Sequence, residues 1–277
     1  MANLIRSVKP GSDWTKNYLR AYNIKVVPEN VAAFFGNADL PPPTISPAIL
    51  AHETYPDAGL PRDDRLFFDL LYEVMARPVE SEKSSAVDDF AVHLLRLLGY
   101  VEPNRYFRTQ KNIPLFMCSA DTHAKADMCI MDRTSGILFL LQEDSQFLDI
   151  EGKDPEPQLI AGAIATFQSY SHRLSTLGLP TVNTAIIPGI TMFGTAPTFY
   201  KIKISRTLVE AVELGKYPTQ TTIVHKLIPP VQVLWDFQRD GMRPLNNRAV
   251  ILSCFEAFKQ FLWAGLDELK GRGIVGE

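Results

Sequence analysis

Two acidic residues lie on neighbouring predicted strands, where they could hold a divalent cation. Asp127 falls in the strand-like segment AKADMCIMD, and Glu143 ends the apolar run ILFLLQED. The turn-forming sequence RTSG between them predicts a hairpin, which would leave the two carboxylates within a few residues' offset of each other. One or two carboxylates, completed by phosphate oxygens and water, are the usual protein ligands of Mg²⁺. The spacing therefore predicts a metal site made of Asp127 and Glu143.

The segments that must position these acids alternate between helical and extended patterns. Apolar spacing predicts helices over DDRLFFDLLYEVMAR and SSAVDDFAVHLLRLLGY, the second with Ser85 as its cap and Gly99 just past its end. Three strands of a meander follow, then a helix capped by Asp154, two more strands, and a long helix over 247–270. This order predicts an α/β fold with a central mixed β-sheet flanked by helices.

The first 62 residues follow no sustained pattern. A short helix is expected at PENVAAFFG, with Pro28 near its start and Gly36 past its end. Six of the chain's twenty prolines fall between Pro41 and Pro61. Because proline removes backbone donors and fixes φ, no regular structure is expected there. We therefore predict an N-terminal arm and Pro-rich linker over 1–62, and a single α/β domain over 63–277 that ends in extra helices.

Composition argues against several classes of protein. The formal net charge of −3 disfavours a general nucleic-acid-coating protein, because such binding depends on Lys and Arg neutralising phosphates. Three cysteines make no disulfide framework, so we expect a reducing compartment, cytoplasmic or nuclear. No apolar run approaches the roughly 20 residues that span a bilayer, so no membrane association is expected. The sequence also lacks the usual motifs of nucleotide hydrolases, Rossmann enzymes, serine hydrolases and zinc proteases.

Several of these segments together resemble the PD-(D/E)xK superfamily, which has the restriction-endonuclease-like fold. They are the helix ending LLRLLGY, the strand with KAD, the apolar strand ending in a glutamate, and the helix that follows it. The resemblance covers about residues 84–205, and in it Asp127 matches the aspartate of the motif and Glu143 its (D/E). The segments DPEPQLIAGAIATFQ and GITMFGTAPTFYKI also resemble those of a group of uncharacterised fungal proteins. The resemblance implies a nuclease that uses Mg²⁺ or Mn²⁺ to cleave DNA or RNA.

Ser145 stands where the superfamily motif has its lysine. In active members that lysine orients the attacking water and stabilises the charge that develops on phosphorus. Loss of one such charge stabiliser costs about 10²–10³ in rate. The resemblance therefore implies a catalytically impaired nuclease, unless another ammonium serves the site. Lys125 is the better candidate, because strand alternation places it on one face with Asp127 and Cys129, whereas Lys153 depends on the path of a loop.

Four further residues each have two interpretations. Gln158 and Asp88 match a glutamine and an acid that some members carry on the corresponding helices. Each also suits a first helical turn, Gln158 as an exposed residue and Asp88 as an acid that complements the helix dipole. Lys201 and Lys203 alternate onto one side of a predicted strand, which suits contacts to substrate phosphates. The same lysines suit an exposed sheet edge, where they would discourage unwanted strand pairing.

A second hypothesis belongs to a different class of function. The chain could be a non-catalytic interaction module whose sheet and long C-terminal helix bind a protein partner. The two hypotheses differ in geometry, because an active metal site needs the carboxylates of Asp127 and Glu143 to converge with an ammonium nearby.

Overall fold

A seven-stranded β-sheet forms the centre of the computed structural model, and helices pack on both of its faces. The structure describes residues 6–54, 56, 59–76, 83–101, 103–133, 136–143, 154–231 and 237–270, with the backbone alone at 83–85, 143 and 263–270. No helix within these ranges is both long enough and apolar enough to cross a membrane.

The sheet is mixed. Its strands are β1 (Ile24–Pro28), β2 (Arg105–Met117), β3 (Ala120–Asp132), β4 (Gly136–Glu143), β5 (Thr184–Phe193), β6 (Ala196–Ser205) and β7 (Thr222–Leu227). They are arranged in the order β1-β7-β6-β5-β4-β3-β2. The β1–β7 and β4–β5 pairs are parallel, and the other neighbours are antiparallel. This arrangement confirms the α/β fold with a central mixed sheet that the sequence predicts, including the meander β2–β3–β4.

Helices divide between the two faces of the sheet. They are α1 (Lys16–Ala21), α2 (Val31–Phe35), α3 (Pro47–Ala51), α4 (Arg62–Met75), α5 (Lys83–Leu97), α6 (Pro155–Thr176), α7 (Arg206–Glu213), α8 (Phe237–Asp240) and α9 (Leu245–Lys270). An aromatic-rich cluster that includes Phe90, Phe199 and Phe258 joins the sheet to α2–α5 and α9. We call it the α5 cluster. The opposite cluster, with Ile164 and Ile202, joins the sheet to α1, α6 and α7, and we call it the α6 cluster.

Helix α6 follows the sequence prediction closely. The Asp154 side chain accepts a hydrogen bond from the backbone N–H of Glu156, and Pro155 occupies the first helical position, where its missing N–H is not needed. The predicted apolar stripe of α6 is fully buried against the sheet. Helix α5, in contrast, already includes Lys83 and Ser84, so the prediction that Ser85 caps it is wrong.

Two predictions for the first 62 residues are also wrong. Pro28 ends strand β1, and helix α2 is capped instead by Asn30, whose side chain accepts from the N–H of Ala33. The proline-rich segment contains α3, because Pro47 occupies the first turn of a helix that Ser46 caps. The division of the chain at residue 62 stays a prediction; β1 nevertheless forms the outermost strand of the sheet, beside β7.

Candidate functional site

Asp127 lies directly opposite Gln142 across the β3–β4 pair. The register matches Met128 with Leu141, and one further step along the ladder places Asp127 opposite Gln142. The buried Gln142 amide donates a hydrogen bond to Oδ2 of Asp127. The expected antiparallel hairpin is therefore confirmed, and Gln142 holds the Asp127 carboxylate at the point where β4 ends.

The second predicted metal ligand, Glu143, is the next residue of β4. Its backbone pairs with Met192 of β5, which places its Cα beside the Gln142–Asp127 contact. The Glu143 side chain lies outside the described residues, as do Ser145 and Lys153. Metal coordination by Glu143 thus stays a prediction. The position of the Glu143 backbone, next to Gln142, is compatible with such coordination.

Strand β3 changes face at Asp127. Ala126 and Cys129 both belong to the α6 cluster although they are three residues apart, and Met128 between them belongs to the α5 cluster. Regular alternation would place Ala126 and Met128 on the same face. The prediction that Lys125 and Cys129 share a face is therefore wrong, since Lys125 is exposed and Cys129 is fully buried in the α6 cluster.

Strand β2 changes face at the same level. Ile113 packs in the α6 cluster, whereas Phe107 packs against the α5 cluster. The residue between them that faces Asp127 is Gln110, which adopts a φ of 50°, a left-handed conformation that is costly for a residue with a side chain. Such backbone positions cluster at functional sites. The double change of face turns Gln110 toward helix α5, where its amide donates to Asp88 Oδ2 at 3.4 Å.

Asp88 completes a pair of neighbouring acids. Its side chain is only 9% exposed, and its Oδ1 has no hydrogen-bond partner among the described residues. Burial first, and then repulsion from Asp127, raise the pKa of Asp88 to about 7, while the Gln110 hydrogen bond and Lys125 oppose that rise. The interpretation of Asp88 as a first-turn acid is wrong, because α5 begins at Lys83 and has no acid in its first turn. The sequence did carry a signal, because Asp88 lies in line with the buried Ala91 and Leu95.

Lys125 and Asp88 are electrostatically coupled. The charge of Lys125 acts to lower the pKa of Asp88, and the Lys125 side chain itself is exposed to solvent. An ammonium on this side of β3 is thus within electrostatic reach of the buried acid. Whether Lys125 replaces the missing motif lysine stays a prediction.

Gln158 has a structural contact in the first turns of α6. Its amide donates to the carbonyl of Ser12 at 3.2 Å, and its side chain is half-buried, so the exposed interpretation is wrong. The contact ties α6 to the 3₁₀ turn at Gly11–Asp13. A role in binding substrate stays a prediction.

Lys201 and Lys203 lie far from Asp127. Strand β6 lies between β5 and β7, so the interpretation of these lysines as a sheet edge is wrong. Three strand spacings separate β6 from β3, about 14 Å. Lys201 Nζ donates to the carbonyl of Phe34 at 2.7 Å and lies 3.4 Å from Glu29, while Lys203 is exposed. Their role in binding substrate stays a prediction that this distance does not favour.

The site thus contains two described carboxylates, Asp88 and Asp127, with the Gln110 and Gln142 amides on either side. Within the described ranges no group of three or more His, Cys, Asp or Glu side chains is arranged to hold a metal ion. No protein-family model matches the chain, and a search of curated proteins found no significant match. The chemistry of this site is therefore the basis for a functional proposal.

Proposed function

We propose that the chain is a PD-(D/E)xK nuclease-like protein whose metal site is formed by Asp88, Asp127 and Glu143. The observation that carries the proposal is the pair of neighbouring carboxylates at Asp88 and Asp127. Asp88 is buried, repelled by Asp127, and has an oxygen with no hydrogen-bond partner among the described residues. A divalent cation relieves such repulsion, because it favours the charged form of both acids.

The residues around this pair suit a hard cation. Carboxylate oxygens are the preferred ligands of Mg²⁺ and Mn²⁺, and these ions complete their shell with water and substrate phosphate. The Gln142 amide fixes one Asp127 oxygen by donating to it, which limits the rotation of that carboxylate. A metal ion held here would polarise a phosphodiester and lower the pKa of its bound water.

Serine at position 145 makes catalysis slow in this proposal. A hydroxyl supplies no positive charge, so the rate is expected to fall by about 10²–10³ relative to a lysine-containing site. Lys125 is the ammonium that acts electrostatically on Asp88, and it offers partial compensation. The substrate class is a phosphodiester of DNA or RNA.

A nuclease assay tests the proposal. Purified chain is incubated with single- and double-stranded DNA and RNA in Mn²⁺, and the native chain is compared with Asp127→Ala and Ser145→Lys. We expect weak cleavage by the native chain, none by Asp127→Ala, and a rate increase of about 10²–10³ in Ser145→Lys. The matched control is Asp89→Ala, an exposed acid on the same helix, which should cleave like the native chain. Equal cleavage by the native and Asp127→Ala chains would overturn the proposal.

Calorimetric titration with Mn²⁺ tests the metal site without requiring activity. A proton competes with the metal for Asp88, whose pKa is about 7, so the affinity should fall as the pH is lowered from 8 to 6. Asp88→Asn should weaken binding and remove most of this pH dependence, whereas Asp89→Asn, which removes only a weaker repulsion on Asp88, should change both far less. Absence of Mn²⁺ binding by the native chain at pH 8 would contradict the proposal.

The serine also supports a second candidate function, a non-catalytic interaction module for a protein partner. In that case neither the native chain nor Ser145→Lys cleaves any nucleic acid, and Mn²⁺ does not bind. The same two experiments therefore separate an impaired nuclease from a module that has no metal chemistry.

A further inference from the structure

One face of the β2–β3 hairpin is open to solvent. Ile113 and Leu115 of β2, and Ala124 and Ala126 of β3, are buried in the α6 cluster. Their neighbours along each strand point to the other face. Six residues on that other face are exposed, three from each strand: Asn112, Pro114, Phe116, Asp121, His123 and Lys125. We call these six residues the hairpin face.

The hairpin face forms three rows that lead to the candidate site. The register pairs Phe116 with Asp121, then Pro114 with His123, then Asn112 with Lys125. The next row of the same register consists of Gln110 and Asp127. A linear ligand that lies along the hairpin face therefore reaches the Asp88–Asp127 acids at its inner end.

The outer edge of β2 is closed to an added strand over this stretch. The Gln168 amide accepts from the N–H of Phe116 at 3.0 Å and donates to its C=O at 2.9 Å. Backbone groups of alternate residues point to the same edge, so Pro114 also faces outward there, and it has no N–H to offer. A partner strand that pairs with β2 could therefore form no backbone hydrogen bonds with Phe116 and could accept none from Pro114. The hairpin face must therefore bind through its side chains.

The chemistry of these side chains fits an unpaired polynucleotide. The Phe116 ring is 41% exposed and, with Pro114 and His123, offers flat surfaces on which bases stack. Lys125 and Asn112 supply donors for phosphate oxygens. Rows repeat every two residues, about 6.7 Å apart, which is close to the span of one nucleotide in an extended strand. Lys125 is the one lysine or arginine of the hairpin face, and Asp121 in its outermost row carries the opposite charge. The face therefore offers little to a duplex, whose affinity depends on neutralising many phosphates.

We propose that the hairpin face binds single-stranded nucleic acid and leads its backbone to Asp127. The inference rests on the proposed function, because it names the substrate of that same site. Bases stack on Phe116 and its row neighbours, and Lys125 contacts a phosphate next to the metal ligands. Substrate selection thus lies in β2 and β3 and precedes the chemical step.

Fluorescence anisotropy with labelled 15-nucleotide strands tests the inference in EDTA, where binding does not depend on the metal. We expect single strands to bind more tightly than a duplex of the same sequence. Phe116→Ala should weaken binding at least about fivefold, which is the lower end of the range of affinity losses for removing one stacking side chain. The control is Tyr106→Ala. Tyr106 is also an aromatic residue of β2 with 41% of its side chain exposed, but it lies on the other side of Gln110, outside the hairpin face. Thermal melting of both variants confirms that each remains folded.

A salt titration tests the phosphate contact. Lys125→Ala should reduce the slope of log affinity against log salt by about 0.7, the value for one lost phosphate contact on a single strand. Lys25→Ala provides the control, because this exposed lysine lies on β1, at the opposite edge of the sheet.

Three results would overturn the inference: equal weakening by Phe116→Ala and Tyr106→Ala, a duplex that binds as tightly as a single strand, or no oligonucleotide binding at all. Each can occur while Mn²⁺ still binds at Asp127, in which case the proposed metal site survives and only the hairpin face is rejected. Conversely, the chain could bind oligonucleotides through Phe116 but never bind Mn²⁺. That result would reject the proposed metal site and support the hairpin face as a binding surface.

Discussion

At the scale of single residues, the candidate site depends on a difference between two adjacent aspartates. Asp88 and Asp89 are chemically identical, yet Asp88 is buried and Asp89 is exposed. The helical period decides this, because Asp88 shares the buried side of α5 with Ala91 and Leu95. Gln110 carries no such signal. Its φ of 50° arises where both strands change face together, which no local sequence pattern encodes.

The titration of Asp88 predicts how stability depends on pH. The pKa of Asp88 is near 3.8 in an unfolded chain and about 7 in the fold. Between these values the folded chain binds more protons, so its stability falls as the pH rises from about 4 to about 7. Asp88→Asn removes this loss. The variant should be more stable than the native chain at pH 8, by on the order of 1–3 kcal/mol. This advantage should be smaller at pH 5, where only part of the loss has occurred, and should vanish below about pH 4.

Urea unfolding at pH 5 and pH 8 measures this difference. Asp89→Asn is the matched control, because it removes the same charge from an exposed position and should show no comparable change between the two pH values. An Asp88→Asn effect of equal size at both pH values would mean that the ionised form of Asp88 carries no penalty in the fold.

At the scale of elements, the regular structures with strong local patterns were predictable. Helix α6 has its cap, its first-turn proline and an apolar stripe, and β5 and β6 have their apolar runs and corner, so neighbouring residues suffice to define them. Helix α3 also has a cap and a first-turn proline, but its five residues are too few to show an apolar stripe. Its last carbonyls, those of Ile49 and His52, accept hydrogen bonds from Arg248 of α9. A contact across nearly two hundred residues leaves no trace in the local sequence.

Arg248 is therefore expected to be essential for the packing of α3. It is fully buried and also donates to the carbonyl of Met242, and burial lowers its pKa to about 10, so it remains charged at neutral pH. Arg248→Met leaves these carbonyls without their donor. Each buried carbonyl left without a donor costs about 1–3 kcal/mol, so we expect the free energy of unfolding to fall by about 3 kcal/mol or more. Hydrogen exchange should accelerate first at His52, whose backbone N–H bonds within α3.

Chemical denaturation of Arg248→Met and of Arg206→Met provides the comparison. Arg206 is half exposed in an i,i+4 pair with Glu210, a type of contact that contributes little to stability. Equal stability of the two variants would show that the buried guanidinium is replaceable.

At the scale of the whole molecule, residues before Asp63 contribute to both faces of the sheet. Phe34 packs in the α5 cluster beside Phe258, and Trp14 packs in the α6 cluster, where it stacks on Tyr18 and Tyr22. The sequence predicted the sheet and its order of elements but set this segment apart as an arm. Short elements rich in proline and aromatic residues have no long period, so their place in the core depends on tertiary packing that propensity cannot reveal.

Substitution of Trp14 tests whether this segment folds as one unit with the rest. Trp14 is 1% exposed, so Trp14→Ala should lower the free energy of unfolding by about 3–5 kcal/mol. Because Trp14 packs in the same cluster as α6, the whole chain should melt earlier in a single transition. Tyr72→Ala, at a side chain 76% exposed on α4, should melt like the native chain. If residues 1–62 were a separable arm, Trp14→Ala would leave the main unfolding transition unchanged and alter only signals from those residues. Calorimetry combined with hydrogen exchange distinguishes the two outcomes.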